Sequence, residues 1–374
     1  MPGIYIHIPF CLQACHYCDF HFSTNQKNKT SMVEMICREI EIRKDYFSPQ
    51  PVSTLYFGGG TPSLLENDEL QKIMNTIHQN FTITESAEIT LEANPDDLTK
   101  DKLETLKNNG INRLSIGIQS FDDTQLHYMN RAHKSIQAEN AVKWAQEVGF
   151  NNISIDLIYG IPSPGHSIWE NDLKKALELN VQHISSYCLT IEPATVFGRK
   201  KEKGTLPPEN EEYNAQQYEK LIERLELNGF EQYEISNFCK PGYVSKHNSS
   251  YWNDEYYLGI GPGAHSYNGE SRQYNIENNV KYINSLTQGM IPCTSENLDL
   301  KTKANEYIMT KLRTKWGVDR TILKNKFGIP FEFFQKTVEK YQELGFIKIE
   351  NHLLKLTKKG LLFADKITED LFII

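Results

Sequence analysis

Short apolar segments alternate with longer amphipathic segments through the first half of the chain. The short segments are rich in Ile, Leu and Tyr, which predicts β-strands, and the longer ones repeat their apolar residues every three or four positions, as helices with one buried face do. The predicted strands are Ile4–Ile8, Thr54–Phe57, Glu88–Glu92, Arg113–Ile118, Ile153–Ile158 and His183–Leu189. The predicted helices are Ser31–Tyr46, Asn67–Gln79, Asp101–Asn109, Ser135–Val148 and Ile168–Leu179.

Strand followed by helix, repeated about six times, predicts an α/β fold with a parallel sheet and helices outside it. A partial barrel and an open doubly wound sheet both satisfy this pattern, and periodicity alone does not separate them. In either fold we expect binding residues to gather where the strands end.

The second half of the chain has a different pattern. Glu211–Asn228 predicts a helix, and the residues from Tyr233 to Tyr274, rich in Tyr, Asn, Gly and Ser, predict ordered loops. Helical periodicity returns from Leu298, and Phe346–Lys355 alternates like a hairpin before a last helix that begins at Lys358. We predict a core barrel over residues 1–200, a connecting region over 201–297 and a small winged-helix-like helical domain over 298–374, with a packing or lid role for the last.

Composition narrows the functional classes. The formal net charge of -8 disfavours a nucleic-acid partner, because phosphate backbones attract basic proteins. No apolar run of about 18 residues is present, so we expect no membrane-spanning helix. The first residues, MPGIYIHIPFC, lack the basic and apolar regions of a secretory signal, which predicts a cytoplasmic protein.

Three of the seven cysteines form the pattern C-x3-C-x2-C directly after the first predicted strand, at Cys11, Cys15 and Cys18. Three thiolates can hold a [4Fe–4S] cluster and leave one iron without a protein ligand, open to a substrate. The alternative is a zinc knuckle, whose fourth ligand would be His7, His16 or His21. The remaining cysteines are scattered, which is typical of inert buried residues.

Six motifs make the chain similar to the radical SAM superfamily, and within it to the branch that contains coproporphyrinogen dehydrogenases and HemW-type haem chaperones. These motifs are YIHIPFC, FGGGTPS, LEANPDDL, SIGIQSFDD, SIDLIYGIP and HNSSYWNDEYYLGIGPGAHS. The resemblance implies a partial (β/α)6 barrel, similar to a TIM barrel, that binds a [4Fe–4S] cluster and S-adenosylmethionine (SAM). Glycines after the second strand would let a ligand approach the backbone, because no Cβ intrudes there. The implied SAM contacts are Tyr5, Tyr17, Gly59, Gly60, Thr61, Glu92, Gln119, Arg131 and Asp156.

Features outside the SAM motifs favour the chaperone over the dehydrogenase. The dehydrogenases carry a fourth cysteine two residues after the third cluster ligand, where this chain has Phe20. They also carry an extension ahead of the first strand, which here begins by Gly3. A retained SAM site keeps oxidative decarboxylation of coproporphyrinogen as the alternative. A third, less favoured alternative is a radical SAM protein that modifies nucleic acid.

The HNSSYW motif resembles a motif of the chaperones and implies haem contacts by His247, Tyr251 and Trp252. A neutral imidazole can ligate haem iron, and the two aromatic rings offer flat apolar faces to a porphyrin. His265, after a second glycine-rich loop, is a weaker candidate. We therefore expect haem and haem-acceptor proteins as partners, with any contact to a membrane made through the acceptors.

Overall fold

The computed structural model describes residues 2–47 and 49–373, and the strands of these residues form one sheet of twelve and one of three. The strands are β1 (Gly3–Ile8), β2 (Val52–Gly59), β3 (Ile83–Ala93), β4 (Arg113–Gln119), β5 (Ile153–Tyr159), β6 (His183–Cys188), β7 (Glu231–Glu234), β8 (Asn237–Cys239), β9 (Tyr257–Ile260), β10 (His265–Tyr267), β11 (Ser271–Asn275), β12 (Cys293–Asn297), β13 (Val318–Asp319), β14 (Ile347–Glu350) and β15 (Leu353–Leu356).

Helices follow most of the strands. They are α1 (Lys29–Ile42), α2 (Asn67–Asn80), α3 (Lys100–Asn108), α4 (Asp123–Tyr128), α5 (Ser135–Val148), α6 (Ser167–Glu178), α7 (Val196–Glu202), α8 (Glu211–Leu227), α9 (Lys246–Trp252), α10 (Asn279–Thr287), α11 (Leu300–Leu312), α12 (Arg320–Phe327), α13 (Gln335–Glu343), α14 (Lys358–Leu361) and α15 (Ala364–Asp370). Short 3-10 helices lie at Pro62–Leu64, Pro95–Asp97 and Phe331–Phe334.

The strand order decides between the two folds that the sequence allows. Strands β1 to β6 are parallel and lie side by side in chain order, as in a barrel built from successive β/α units. A doubly wound sheet would instead reverse its order around the first strand. The α/β partial barrel predicted from the sequence is therefore confirmed.

Residues Tyr233–Tyr274 differ from the prediction of ordered loops, which is wrong for much of this segment. It holds β8, α9, β9 and β10, half of β7 and most of β11, and it extends the sheet at both edges. Strand β9 pairs in parallel with β1, and β8 pairs with β6 in antiparallel orientation. Most of these strands are only three to five residues long, too short for an alternation to stand out in the sequence.

Alternation along the six parallel strands separates two environments. In β1 the side chains of Ile4, Ile6 and Ile8 are fully buried in the apolar core shared with the helices. The positions between them face the other way, since a Cβ on Gly3 would meet the Thr54 and His247 side chains. The inner face continues with buried polar groups, namely Thr54, Glu88, Thr90, Arg113, Ser115, Ser154, His183 and Ser185. The barrel interior is therefore polar, while the outer face of the sheet forms the main apolar core.

A second apolar core lies within residues 304–371, where α11 to α15 pack around the three-stranded sheet β13–β15–β14. Strands β14 and β15 confirm the predicted hairpin. Among the helices that the structure describes, none is long and apolar enough to cross a membrane.

A buried ionic cluster ties α1 to the sheet extension. Glu39 is fully buried, and its carboxylate accepts hydrogen bonds from Arg43 Nε at 2.9 Å, Asn275 Nδ2 at 2.9 Å and Tyr282 Oη at 2.5 Å. The backbone N–H of Gly261 donates to the same carboxylate at 2.9 Å. Each of its oxygens is thus satisfied, which offsets the cost of burying the charge.

We predict that Glu39→Ala lowers the free energy of unfolding by about 3–5 kcal/mol, because it leaves the buried positive charge of Arg43 without a carboxylate. The control is Glu41→Ala, which removes an exposed i,i+3 partner of Arg38 on the same helix and should cost less than about 1 kcal/mol. Urea denaturation of both variants measures the difference. Equal losses in the two variants would show that the cluster does not hold α1 in place.

Candidate functional site

The three clustered cysteines lie in the loop after β1, along one wall of a cavity of about 540 Å³. Their thiols are free, and Cys11 accepts a hydrogen bond from Thr61 Oγ1 at 3.5 Å while Cys15 accepts one from Arg131 Nη1 at 3.4 Å. Burial raises the pKa of the Cys18 thiol to about 11, so a bound iron would supply the positive charge that stabilises its thiolate. Among the described residues, no three His, Cys, Asp or Glu side chains converge as ligands of one metal ion.

Tertiary contacts anchor this loop at several points. The backbone N–H of His16 donates to Met129 O at 3.0 Å, and its carbonyl accepts from the N–H of Phe197 at 2.9 Å. Asn130, which has a positive φ of 57°, donates through its side chain to Ala14 O at 2.7 Å. The cysteine loop is therefore held by α4 and α7 before any cofactor binds.

The cavity opens where the parallel strands end, and most of the predicted SAM residues line it. Those that line it are Tyr17, Gly59, Gly60, Thr61, Glu92, Gln119, Arg131 and Asp156, together with the three cysteines. Tyr5 does not line it; its hydroxyl lies 3.2 Å from His7 Nδ1 and its ring stacks on Tyr56 with centroids 6.0 Å apart. Tyr5 thus supports the wall of the cavity from behind.

Two partly buried carboxyl groups face the cavity. Glu92 accepts a hydrogen bond from Tyr56 Oη at 2.8 Å and one from the N–H of Gly59 at 3.2 Å. Burial raises the pKa of Glu92 to about 7 and that of Asp156 to about 6, since each ionised carboxylate lacks a direct cationic partner. A cationic ligand would stabilise both carboxylates, and SAM carries an ammonium and a sulfonium group.

Arg131 crosses from the cysteine loop to the ends of β3 and β4. Its Nη2 donates to Asn94 Oδ1 and to Gly117 O, each at 2.7 Å. Its Nε is buried and has no hydrogen-bond partner. Because Nη1 and Nη2 already have partners and Nε is shielded from solvent, the protein itself fixes the guanidinium beside Cys15.

Two residues at the cavity meet unusual backbone requirements. Gln119 ends β4 with a φ of 69°, a left-handed conformation that non-glycine residues seldom adopt outside functional sites. A Cβ on Gly60 would lie 2.6 Å from Phe10 O and 2.8 Å from Ile8 O. The glycine loop thus needs Gly60 to pack against the end of β1, a reason distinct from ligand approach.

Several cavity residues are absent from the sequence predictions. They include Tyr56, Asn94, Ser115, Ser185 and Asn248. Tyr56, Ser115 and Ser185 lie at inward positions of predicted strands, so the period-two alternation of each strand could have found them. Asn94 directly follows β3, whereas Asn248 reaches the cavity only because α9 packs there.

The predicted haem motif lies on α9, and His247 is buried inside the barrel. Its Nδ1 lies 2.8 Å from Thr54 Oγ1 and its Nε2 lies 3.0 Å from Tyr251 Oη. Burial lowers the pKa of the His247 imidazole to about 3, so the ring is neutral. The structure therefore brings neither His247 nor Tyr251 to the cavity, and the half-buried Trp252 does not line it either.

Known proteins resemble this chain in both sequence and fold. A family model described as Radical SAM superfamily matches residues 5–176, and one described as HemN C-terminal domain matches residues 298–363. The chain is 35% identical to heme chaperone HemW of Bacillus subtilis over 98% of both chains. It is 30% identical to heme chaperone HemW of Escherichia coli over 98% of this chain and 97% of that protein.

A solved structure has the same fold at lower identity. The structure described as coproporphyrinogen III oxidase (HemN) from Escherichia coli, a radical SAM enzyme, superimposes with a TM-score of 0.87 at 23% identity. The match covers 99% of this chain and 90% of that one.

His133, near Arg131, makes the stability of the fold depend on pH. Burial lowers the pKa of its imidazole to about 3, and its Nε2 lies 3.0 Å from Ile118 O. In the unfolded chain this pKa is about 6.5, so below that pH only the unfolded state binds the proton. The free energy of unfolding should therefore fall by up to about 1.4 kcal/mol per pH unit on account of His133.

His133→Gln keeps a donor for the Ile118 carbonyl and removes the titration. Urea denaturation at pH 7, 6 and 5 should give a smaller loss of stability on acidification for this variant than for the unaltered protein. Other titrating groups contribute to both proteins and cancel in the comparison. Parallel pH dependences would show that His133 is protonated in the folded state.

Proposed function

Since the chain belongs to the HemW family of the radical SAM superfamily, we propose that it binds haem and transfers it to acceptor proteins, and that it carries a [4Fe–4S] cluster and SAM. The family supports haem and acceptor proteins as the partners. The observation that supports both cofactors is the cavity, which is lined by three thiols, two carboxyl groups and Arg131.

Each part of the cavity has a separate proposed role. Cys11, Cys15 and Cys18 would hold three irons and leave the fourth open to SAM. Glu92 and Asp156 would stabilise the positive charges of SAM, and the positive charge of Arg131 would attract its carboxylate. When bound, the reduced cluster supplies one electron to SAM.

Haem binding is assigned to α9 on the strength of the HNSSYW motif. His247 is already neutral, the form in which imidazole ligates iron. Both of its ring nitrogens have partners inside the barrel, so Nε2 must leave Tyr251 Oη before it can reach a haem iron. Haem ligation by His247 would therefore require its ring to leave the barrel interior.

A second function, oxidative decarboxylation of coproporphyrinogen, is favoured by two observations. The SAM cavity is fully formed, and the fold matches that of a coproporphyrinogen III oxidase over nearly the whole chain. Against it, the residue two positions after Cys18 is Phe20, whose side chain is 72% exposed at the cavity. A phenyl ring cannot act as a further thiol ligand.

We predict that His247→Gln weakens haem binding by at least about tenfold, or roughly 1.4 kcal/mol, and abolishes the spectrum of an imidazole-ligated haem. Glutamine can keep hydrogen bonds to Thr54 and Tyr251 but is a poor iron ligand. His78→Ala, at an exposed histidine in the last turn of α2, is the control and should leave the titration unchanged. Equal affinity and an unchanged spectrum in His247→Gln would exclude His247 as the ligand.

The two functions predict opposite results in one anaerobic assay. Cluster-loaded, reduced protein with SAM and coproporphyrinogen should form no protoporphyrinogen if the protein is a haem carrier. A coproporphyrinogen dehydrogenase assayed in parallel shows that the reagents are competent. Turnover to protoporphyrinogen by the present protein would replace the carrier function with the enzymatic one.

A further inference from the structure

Helix α9 forms part of the inner wall of the SAM cavity. The side chain of Asn248, next to His247, lines the cavity together with Glu92 and Asp156. The start of the helix is fixed by Glu88, whose carboxylate accepts from the backbone N–H of Lys246 at 3.1 Å and of His247 at 3.0 Å. The motif assigned to haem and the cavity assigned to SAM are therefore adjacent parts of one barrel interior.

Tyr56 makes direct contact with both sites. Its hydroxyl donates to Glu92 Oε1 at 2.8 Å. Its ring stacks on the imidazole of His247, with centroids 5.0 Å apart and planes 26° apart. One rigid side chain thus connects the carboxylate that faces the cavity to the histidine of α9.

His247 can leave the barrel interior only by breaking side-chain contacts. Its ring is held by Thr54 and Tyr251, and the ring of Tyr5 lies beyond it with centroids 6.4 Å apart. Moving His247 towards solvent breaks both ring hydrogen bonds and the stack on Tyr56. It also moves Asn248, which removes part of the cavity wall.

We propose that Tyr56 couples the two sites, so that a ligand bound against Glu92 holds His247 inside the barrel and release of His247 weakens binding at Glu92. This inference rests on the proposed function and specifies its regulation. A ligand favours the conformation that it binds more tightly, and the complete cavity wall exists only with α9 in place. Linkage makes the effect reciprocal, so outward movement of His247 opposes SAM binding by the same factor.

Hydrogen exchange tests the coupling without haem. Cluster-loaded protein with saturating SAM, its binding measured by calorimetry, should exchange the amides of residues 246–252 at least about fivefold more slowly than without SAM. In Tyr56→Phe, which keeps the ring but loses the hydroxyl, SAM should no longer slow this exchange. Unchanged exchange in the unaltered protein, or full protection in Tyr56→Phe, would overturn the proposal.

Tyr282→Phe is the matched control. Tyr282 also donates a buried phenol to a buried carboxylate, Glu39, but lies in α10, outside the cavity. Its loss should leave the SAM protection of residues 246–252 intact. If Tyr282→Phe abolished that protection as Tyr56→Phe is expected to, general loosening rather than the Tyr56 link would be responsible.

The variant Thr54→Val tests the reverse effect, that of His247 on SAM binding. It removes a partner of His247 and leaves the cavity lining unaltered. This variant should speed exchange in residues 246–252 and weaken SAM binding by at least about fivefold. Faster exchange with unchanged SAM affinity would refute the coupling. Haem titration of His247→Gln is a separate measurement, so failure of the haem assignment is distinguishable from failure of the coupling.

Discussion

The interior of the barrel is polar, and the rest of the structure depends on this constraint. Side chains alternate along parallel strands, so apolar residues on one face pack under the helices while polar residues on the other face meet inside. Buried polar groups need partners: Thr54 and Tyr251 each bond to His247, and Tyr56 bonds to Glu92. Stability of the fold and readiness for a charged ligand therefore come from the same residues.

Much of the fold could be predicted from the sequence because long, strongly periodic segments dominate the first half. Helix α5 occupies Ser135–Val148, as predicted, and strand β5 begins at the predicted Ile153. The barrel itself could not be separated from a doubly wound sheet, since strand order is a long-range property that periodicity does not encode. The short edge strands around α9 could not be recognised because their pairing partners, β1 and β6, lie far away in the chain.

Part of the candidate site could likewise be predicted from the sequence, and part could not. Residues at strand ends, such as Glu92 and Asp156, could be placed at one cavity because all parallel strands end on the same side. The burial of His247 could not be predicted, since nothing in the HNSSYW motif reveals that Thr54 and Tyr251 satisfy both of its ring nitrogens. The motif indicates which side chains could ligate iron. Only the packing of α9 shows that the His247 ring lies inside the barrel with both nitrogens hydrogen-bonded.

We propose that three thiols hold an iron–sulfur cluster whose open iron meets SAM in the adjoining cavity. Electron paramagnetic resonance of the anaerobically reconstituted, reduced protein tests it most directly, combined with iron, sulfide and zinc analysis of the same sample. We expect about four irons and four sulfides per chain, as one [4Fe–4S] cluster requires, and a cluster signal whose g values change when SAM is added. A single zinc without sulfide, or a cluster signal indifferent to SAM, would contradict the account.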